Sequence, residues 1–97
     1  MYWVVSRWQP KMGMADEWRA RGMKVREAMR QMPGIEFVDS FGTENGDVCA
    51  MVGYASEEDY KRIVQDPAGP FERIIADHKL EEVANWVSSD RGPSLDA

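Results

Sequence analysis

Ile35 to Tyr54 reads IEFVDSFGTENGDVCAMVGY, which is two apolar segments separated by Asn45-Gly46. Asn-Gly between apolar segments is the strongest short-range signal for a β-hairpin, because a type I′ turn needs positive φ at both central residues. The segment that begins at Val48 is apolar at almost every position, which predicts a strand buried on both faces. The rest of the chain must therefore cover two faces of a sheet.

The residues before the hairpin predict a strand followed by a long helix. Residues 2–8, YWVVSRW, are rich in valine and aromatic residues, and Pro10 ends this strand. Apolar residues at helical spacing predict a helix over residues 15–32, which Pro33-Gly34 stops. Gly22 lies on the apolar face of this helix. Because glycine costs about 1 kcal/mol there relative to alanine, we expect a close approach to the sheet or to a ligand.

The residues after the hairpin predict an interrupted helix and a final strand. Ser56, followed by three acidic residues, has the form of a capping box. The sequence DPAGP at 66–70 breaks this second helix, and apolar spacing resumes over 71–78. Residues 80–88 fit a helix or a strand, but the vacant edge of the first strand favours a strand. We therefore expect one domain over residues 1–88 and a flexible polar tail over 89–97.

Composition limits the partners and the compartment. The chain has 97 residues, a formal net charge of −5 and a single cysteine, Cys49. The acidic charge argues against nucleic acid as a partner, because phosphate backbones would be repelled. No apolar run is long enough for a membrane span, so no membrane association is expected. The lone cysteine and the absence of a secretory pattern at the N-terminus predict a cytoplasmic protein.

The predicted order is β-α-β-β-α-β, the ferredoxin-like arrangement, and the sequence over residues 2–88 resembles the antibiotic biosynthesis monooxygenase-like family of dimeric α/β-barrel proteins. Four segments carry the resemblance, VVSRWQPKMG, QMPGIEFVDSF, VGYASEEDY and QDPAGPFERII. It implies a four-stranded antiparallel sheet with two helices on one face and a ligand pocket between them. The family includes cofactor-free oxygenases of polyketide quinols, so the resemblance implies no cofactor.

The second sheet face predicts a homodimer. Trp3, Val5 and Arg7 alternate with the residues that would face the helices, and the chain holds no further element to cover them. An apolar patch of this size is unusual on a monomer. A two-fold dimer that packs sheet against sheet would bury it, as the resemblance also implies.

The resemblance places Ser6 and Trp8 on the pocket face of the first strand and Tyr54 at the exit of the third. The Ser6 hydroxyl and the Trp8 indole N–H would then orient a planar aromatic ligand as substrate-binding groups. Trp8 equally fits a role in core packing. Tyr54 would either donate a hydrogen bond to the ligand or close the base of the second helix.

His78 is the only histidine and the only side chain with an ordinary pKa near neutrality. As a catalytic base, it would take a proton from a phenol or enol before oxygen attack. The alternative, which the position favours, is the solvated end of the second helix, where a cation suits the helix dipole. Haem is not expected, since the Asn, Trp and His of haem-degrading relatives align with Ser6, Ile63 and Ile75. A single histidine and a single cysteine also make no zinc site.

Two functions follow from these observations. The first is a cofactor-independent, monooxygenase-like enzyme that acts on a small aromatic or carbonyl-rich metabolite between the sheet and the helices. The break between Pro67 and Pro70 would then admit the ligand. The alternative is a non-catalytic homodimeric module with a binding or structural role. An open cavity beside Ser6, Trp8 and Tyr54 would favour the enzyme or a binding module over a structural one.

Overall fold

The computed structural model describes residues 1–96 and has the ferredoxin-like β-α-β-β-α-β order that the sequence predicts. Its elements are β1 (Tyr2–Pro10), α1 (Ala15–Arg30), β2 (Ile35–Gly42), β3 (Val48–Tyr54), α2 (Glu57–Tyr60) with a π-helical turn (Lys61–Gln65), α3 (Pro70–His78), a 3₁₀ turn (Leu80–Glu82) and β4 (Ala84–Pro93). The strands form one antiparallel sheet in the order β2-β3-β1-β4.

β4 pairs with the edge of β1 that the sequence argument left vacant. The strand is longer than predicted, because it continues to Pro93. The predicted domain end at residue 88 therefore lies too early, and residues 89–93 belong to the sheet. Their polar composition is compatible with an edge strand, which pairs through backbone groups alone. Of the predicted tail of residues 89–97, Ala97 lies outside the described residues.

The turn between β2 and β3 differs from the predicted type I′ turn. Gly46 has φ of 91°, but Asn45 does not have positive φ, since Lys79 is the only such non-glycine residue within 1–96. The Gly46 N–H donates to the Thr43 carbonyl at 3.1 Å, and the Thr43 N–H donates to the Asp47 carbonyl at 2.8 Å. This is a longer hairpin loop with glycine as its one left-handed residue. The hairpin was predicted correctly and its turn type was not.

The strand register determines which side chains face the helices. Tyr2 lies opposite Tyr54, and Trp8 lies opposite Val48, on the face that α1 and α3 cover. α1 contributes three buried residues to this core, namely Trp18, Val25 and Met29. The core therefore extends along the whole length of β1 on the helix side.

A β-bulge in β4 decides the direction of Trp86. Arg7 pairs with Ser88, but the next residue of β1, Trp8, pairs with Trp86, so Val87 is the extra residue. A bulge of one residue reverses the alternation of the faces beyond it. Trp86 consequently lies on the same face as Trp8, and the two indoles stack with centroids 5.3 Å apart.

The start of α2 is fixed by hydrogen bonds around Asp59. The Asp59 N–H donates to the Ser56 hydroxyl at 3.2 Å, which confirms the predicted cap. The Arg62 guanidinium donates to the Asp59 carboxylate at 2.9 Å and to the Pro33 carbonyl at 3.1 Å. The hydrogen bond from Arg62, and then that from Ser56, lowers the pKa of Asp59. This contribution to stability is present above the unfolded-state pKa of Asp59 and is lost as the pH falls through the lowered value.

Two glycine-to-alanine variants should shift stability in opposite directions. Gly34 has φ of 96°, and an added Cβ would lie 2.8 Å from Arg62 Nη2 and 2.9 Å from Asp59 Cγ. We expect Gly34→Ala to lower the free energy of unfolding by roughly 1–3 kcal/mol, because the backbone would be strained. Gly22→Ala, a helical site with no atom within 4 Å of the added Cβ, should raise it by up to about 1 kcal/mol. Urea unfolding measures both values, and a Gly34→Ala protein as stable as wild type would contradict this assignment.

Candidate functional site

A half-open cavity of 570 Å³ lies between α1, the helix side of the sheet and α3. The side chains that make it apolar are Trp8, Trp18, Val25, Met29, Val38, Val48, Ala50, Val52, Phe71, Ile75 and Leu80. Small-molecule sites typically have this volume and are mostly apolar with a few placed polar groups. The cavity therefore has the size and lining of a site for a small organic molecule.

Small residues from three neighbouring strands form the floor of the cavity. Ser6 of β1 and Ser40 of β2 both pair with Ala50 of β3, so the three residues form one row. Two strand spacings separate the serines, which is about 10 Å. The Trp8 indole N–H donates to the Ser6 hydroxyl oxygen at 3.3 Å. The Ser6 hydroxyl hydrogen is consequently free to donate toward a ligand.

Three tryptophans stack in a column, and two of them, Trp8 and Trp18, line the cavity. Trp8 lies in the middle, with its ring centroid 5.0 Å from that of Trp18 and 5.3 Å from that of Trp86. Trp8 is only 4% exposed, and Trp86 is the outer member at 44%. Trp8 therefore packs in the core and also lines the cavity, so both roles expected from the sequence apply to the same side chain.

One face of α1 forms the roof. Arg19, Gly22, Met23 and Arg26 all line the cavity, at the spacing of one helical face. The predicted close approach of Gly22 to the sheet does not occur, because an added Cβ would meet no atom within 4 Å. The glycine instead leaves open space in the roof between the two arginines.

Tyr54 does not line the cavity. It is 1% exposed and packs edge-to-face on Tyr60, with ring centroids 5.4 Å apart. Tyr54 pairs with Tyr2, which lies six residues before Trp8, and six residues of β-strand span about 20 Å. Burial, and then the neighbouring Tyr60, raises the pKa of the Tyr54 phenol. This placement corresponds to the second role considered for Tyr54, the closing of the base of α2.

His78 also lies outside the cavity lining. It is the last residue of α3, it is half-buried, and its Nδ1 lies 2.9 Å from the Ile74 carbonyl oxygen. Since a carbonyl only accepts hydrogen bonds, Nδ1 carries the proton in this contact. Of the four predicted site residues, Ser6 and Trp8 thus meet at the cavity, whereas Tyr54 and His78 do not reach it.

Three lining residues were not predicted from the sequence, namely Ser40, Arg19 and Arg26. Ser40 depends on the β2–β3 register, which the pattern of residues alone does not reveal. Arg19 and Arg26 lie three residues before and four residues after Gly22. This spacing is a usable signal, because it puts both arginines beside a gap on one helical face.

Within residues 1–96, no three histidine, cysteine or acidic side chains are placed to hold a metal ion. None of the helices in the same range has both the length and the apolar character that a membrane span requires.

Comparison with known proteins identifies the fold. No protein-family model matches the sequence, and no curated protein matches it. Solved structures do match over almost the whole chain. An antibiotic biosynthesis monooxygenase superposes with a TM-score of 0.77 at 13% identity, covering 98% of this chain and 99% of the other. This chain has the antibiotic biosynthesis monooxygenase fold.

Two further structures share the antibiotic biosynthesis monooxygenase fold with this chain. Rv0793 from Mycobacterium tuberculosis has a TM-score of 0.79 at 17% identity, covering 99% of this chain and 96% of its own. SnoaB, a cofactor-independent oxygenase from Streptomyces nogalater, has a TM-score of 0.76 at 12% identity, covering 96% of this chain and 91% of its own. The likeness in fold is thus close while the sequences have diverged widely.

A leucine at position 22 should fill the cavity without disturbing the fold. We expect wild type and Gly22→Ala to bind the neutral aromatic probe N-phenyl-1-naphthylamine, and Gly22→Leu to bind it at least about tenfold more weakly, since the added side chain would enter the open space beside Gly22. Probe fluorescence measures affinity, and thermal unfolding checks the fold. Unchanged binding by a folded Gly22→Leu protein would mean that the probe occupies another surface.

Proposed function

We propose that this protein is a homodimeric, cofactor-independent oxygenase that acts on a small aromatic or carbonyl-rich metabolite in the cavity beneath α1. The observation that carries the proposal is the cavity itself, 570 Å³ in volume, with aromatic and aliphatic walls and a hydroxyl at Ser6. The shared fold with SnoaB, a cofactor-independent oxygenase, supports the same reaction class.

The reaction that suits such a site uses the substrate as its own source of electrons. A CH₂ group conjugated with a carbonyl, directly or through an aromatic ring, loses a proton to solvent at the open side of the cavity and gives an enolate. The enolate carbon adds O₂, and the peroxide takes a proton back from solvent to form a hydroperoxide. Loss of water from the hydroperoxide leaves a new C=O group, so the balance is CH₂ plus O₂ giving C=O plus H₂O. The protein must bind the substrate, exclude water and stabilise charge on the enolate oxygen.

Ser6 is the residue that would stabilise the enolate oxygen. Its hydroxyl oxygen already accepts a hydrogen bond from the Trp8 indole, so its own hydrogen can be donated to the substrate. A donor held in place before the reaction stabilises developing charge without reorganisation. Trp8 acts in this proposal as a positioning residue for Ser6 and as a wall for the substrate ring.

The proposed reaction does not require His78 as a base. The His78 ring lies outside the cavity lining, and its Nδ1 is used by the Ile74 carbonyl. A methylene group that lies beside an aromatic ring and is conjugated with a carbonyl is acidic enough to lose its proton to solvent once its enolate oxygen accepts a hydrogen bond. The position of His78 also supports the second candidate function, a module that binds the same class of molecule without turnover.

Oxygen uptake with a model substrate separates the enzyme from the binding module. With anthrone, a tricyclic ketone that has an acidic methylene, we expect O₂ consumption and one oxygen atom from ¹⁸O₂ in the product. Ser6→Ala should lower kcat by roughly 100-fold, because the oxyanion donor is lost. His78→Ala should retain kcat within about twofold. Binding of anthrone without oxygen uptake above the uncatalysed rate would favour the binding module. Loss of activity in His78→Ala would mean that His78 acts as the catalytic base after all.

The proposed dimer rests on the sheet face opposite the helices. Val5, Phe37 and Phe41 on this face are 39%, 40% and 51% exposed, and Trp3 packs edge-to-face on Phe37 at 5.6 Å. Monomers rarely leave a continuous apolar patch of this kind in water. A second copy offers the same patch and would bury both. Arg7 is held by Asp47 at 3.0 Å, so its charge would enter the interface already paired.

A charge at the centre of this face should prevent dimer formation. We expect the wild-type protein to sediment as a dimer at micromolar concentration and Val5→Glu to sediment as a monomer or to unfold, since a buried unpaired carboxylate is strongly unfavourable. Ala20→Glu is the matched control, because it adds the same charge at an exposed position of α1. It should remain a dimer. A monomeric wild-type protein would contradict the proposal.

A further inference from the structure

We propose that the ligand of this cavity carries an anionic substituent, a carboxylate by preference, which Arg19 and Arg26 bind at an entrance beside Gly22. The inference rests on the proposed function, since it specifies the class of molecule that the same cavity accepts. It extends that function from an aromatic or carbonyl-rich metabolite to an aromatic acid.

No residue of the Pro67–Pro70 break lines the cavity, so the entrance predicted there is replaced in this proposal by the gap on α1. Arg19, Gly22 and Arg26 share one face of the helix, and all three line the cavity. Gly22 leaves this face without a side chain, and an added Cβ would meet no atom within 4 Å. Arg19 and Arg26 lie about 10 Å apart along the helix axis, so their long side chains can meet over the gap. A molecule that enters beside Gly22 would therefore come within reach of both arginine side chains.

The two cavity arginines differ from their neighbours on α1 in how they are paired. Arg21 contacts Glu17 at 2.9 Å and Glu82 at 3.1 Å. Arg30 contacts Glu27 at 3.1 Å. In contrast, Arg19 forms no ion pair or side-chain hydrogen bond with any residue in 1–96 that the structure describes.

Arg26 is only weakly engaged. Its nearest carboxylate is Asp39, and the distance of 3.9 Å is too long for a hydrogen bond. Two cations thus face the cavity with donors to spare, in a chain that carries 17 acidic and 12 basic residues.

The acidic residues of the lining do not cancel these donors. Asp47 is held by Arg7 at 3.0 Å. Asp39 accepts the Ser40 N–H at 2.8 Å, and its side chain is 54% exposed to water. An anion at the entrance would therefore meet one paired carboxylate and one solvated carboxylate, together with two guanidinium groups that can each donate two parallel hydrogen bonds.

A matched pair of fluorescent probes tests the inference. 8-Anilinonaphthalene-1-sulfonate and N-phenyl-1-naphthylamine share their rings, and only the first carries an anionic group. We expect wild type to bind the sulfonate more tightly than the neutral probe. The double variant Arg19→Gln, Arg26→Gln should weaken binding of the sulfonate alone, by on the order of tenfold or more. The double variant Arg73→Gln, Lys24→Gln is the control, since it removes the same two charges from exposed sites on α3 and α1 that do not line the cavity. It should change neither affinity by more than about twofold.

The outcomes separate this inference from the proposed function. If the neutral probe binds wild type but not Gly22→Leu, the cavity accepts aromatic molecules and that part of the proposed function stands. If, in addition, the double arginine variant binds both probes as wild type does, anion recognition is wrong while the cavity remains. Equal losses of sulfonate affinity in the control double variant and in the double arginine variant would also overturn it, because the effect would then reflect net charge. Failure of the neutral probe to bind any variant would count against the cavity as a ligand site.

A carboxylate source is distinguished from other anions by competition. Displacement of the sulfonate probe by 2-naphthoate at a lower concentration than by naphthalene or 2-naphthalenesulfonate supports an aromatic carboxylate as the ligand class. Equal displacement by inorganic phosphate would overturn the preference for a carboxylate, because the site would then select charge without regard to the ring. Added salt should weaken binding of the sulfonate more than binding of the neutral probe, since the guanidinium groups are partly exposed and salt screens exposed charges.

Discussion

The strand β1 is hydrogen-bonded to neighbours along both edges and carries large apolar side chains on both faces. A strand of this kind is stable only when both faces are removed from water, because each face exposes valine and tryptophan side chains. α1 and α3 cover the face of Trp8. The face of Trp3 and Val5 has no cover within residues 1–96, and this asymmetry underlies the proposed dimer.

The cavity exists because small residues on the sheet lie opposite a glycine on the helix. Ser6, Ala50 and Ser40 form a row of short side chains on the floor, and Gly22 contributes none to the roof. Trp18, Val25 and Met29 occupy the space between the same two layers on either side of Gly22 and form walls of the cavity. Interiors are otherwise packed to a density that leaves few voids. A cavity of 570 Å³ in a chain of 97 residues is therefore unusual, which favours a role as a ligand site.

The sequence predicted only the part of the candidate site that depends on residues of one strand. Alternation along one strand places Ser6 and Trp8 on a common face, and that local inference survives in three dimensions. Tyr54 belongs to a different strand, and its position depends on a register that sets it opposite Tyr2. His78 depends on where α3 ends relative to the cavity. Neither position follows from the spacing of apolar residues, because that spacing shows which face of an element a side chain lies on. It does not show how far along the element the residue lies from the cavity.

Local chemistry in the sequence determined the order of the elements, the β2–β3 hairpin, the cap at Ser56 and the break before Pro70, because each depends on residues a few positions apart. Only the tertiary structure decided the β-bulge at Val87 and the extension of β4 to Pro93. The bulge turns Trp86 onto Trp8, which lines the cavity. Such features arise from pairing between distant segments, where backbone hydrogen bonds outweigh the preferences of individual side chains.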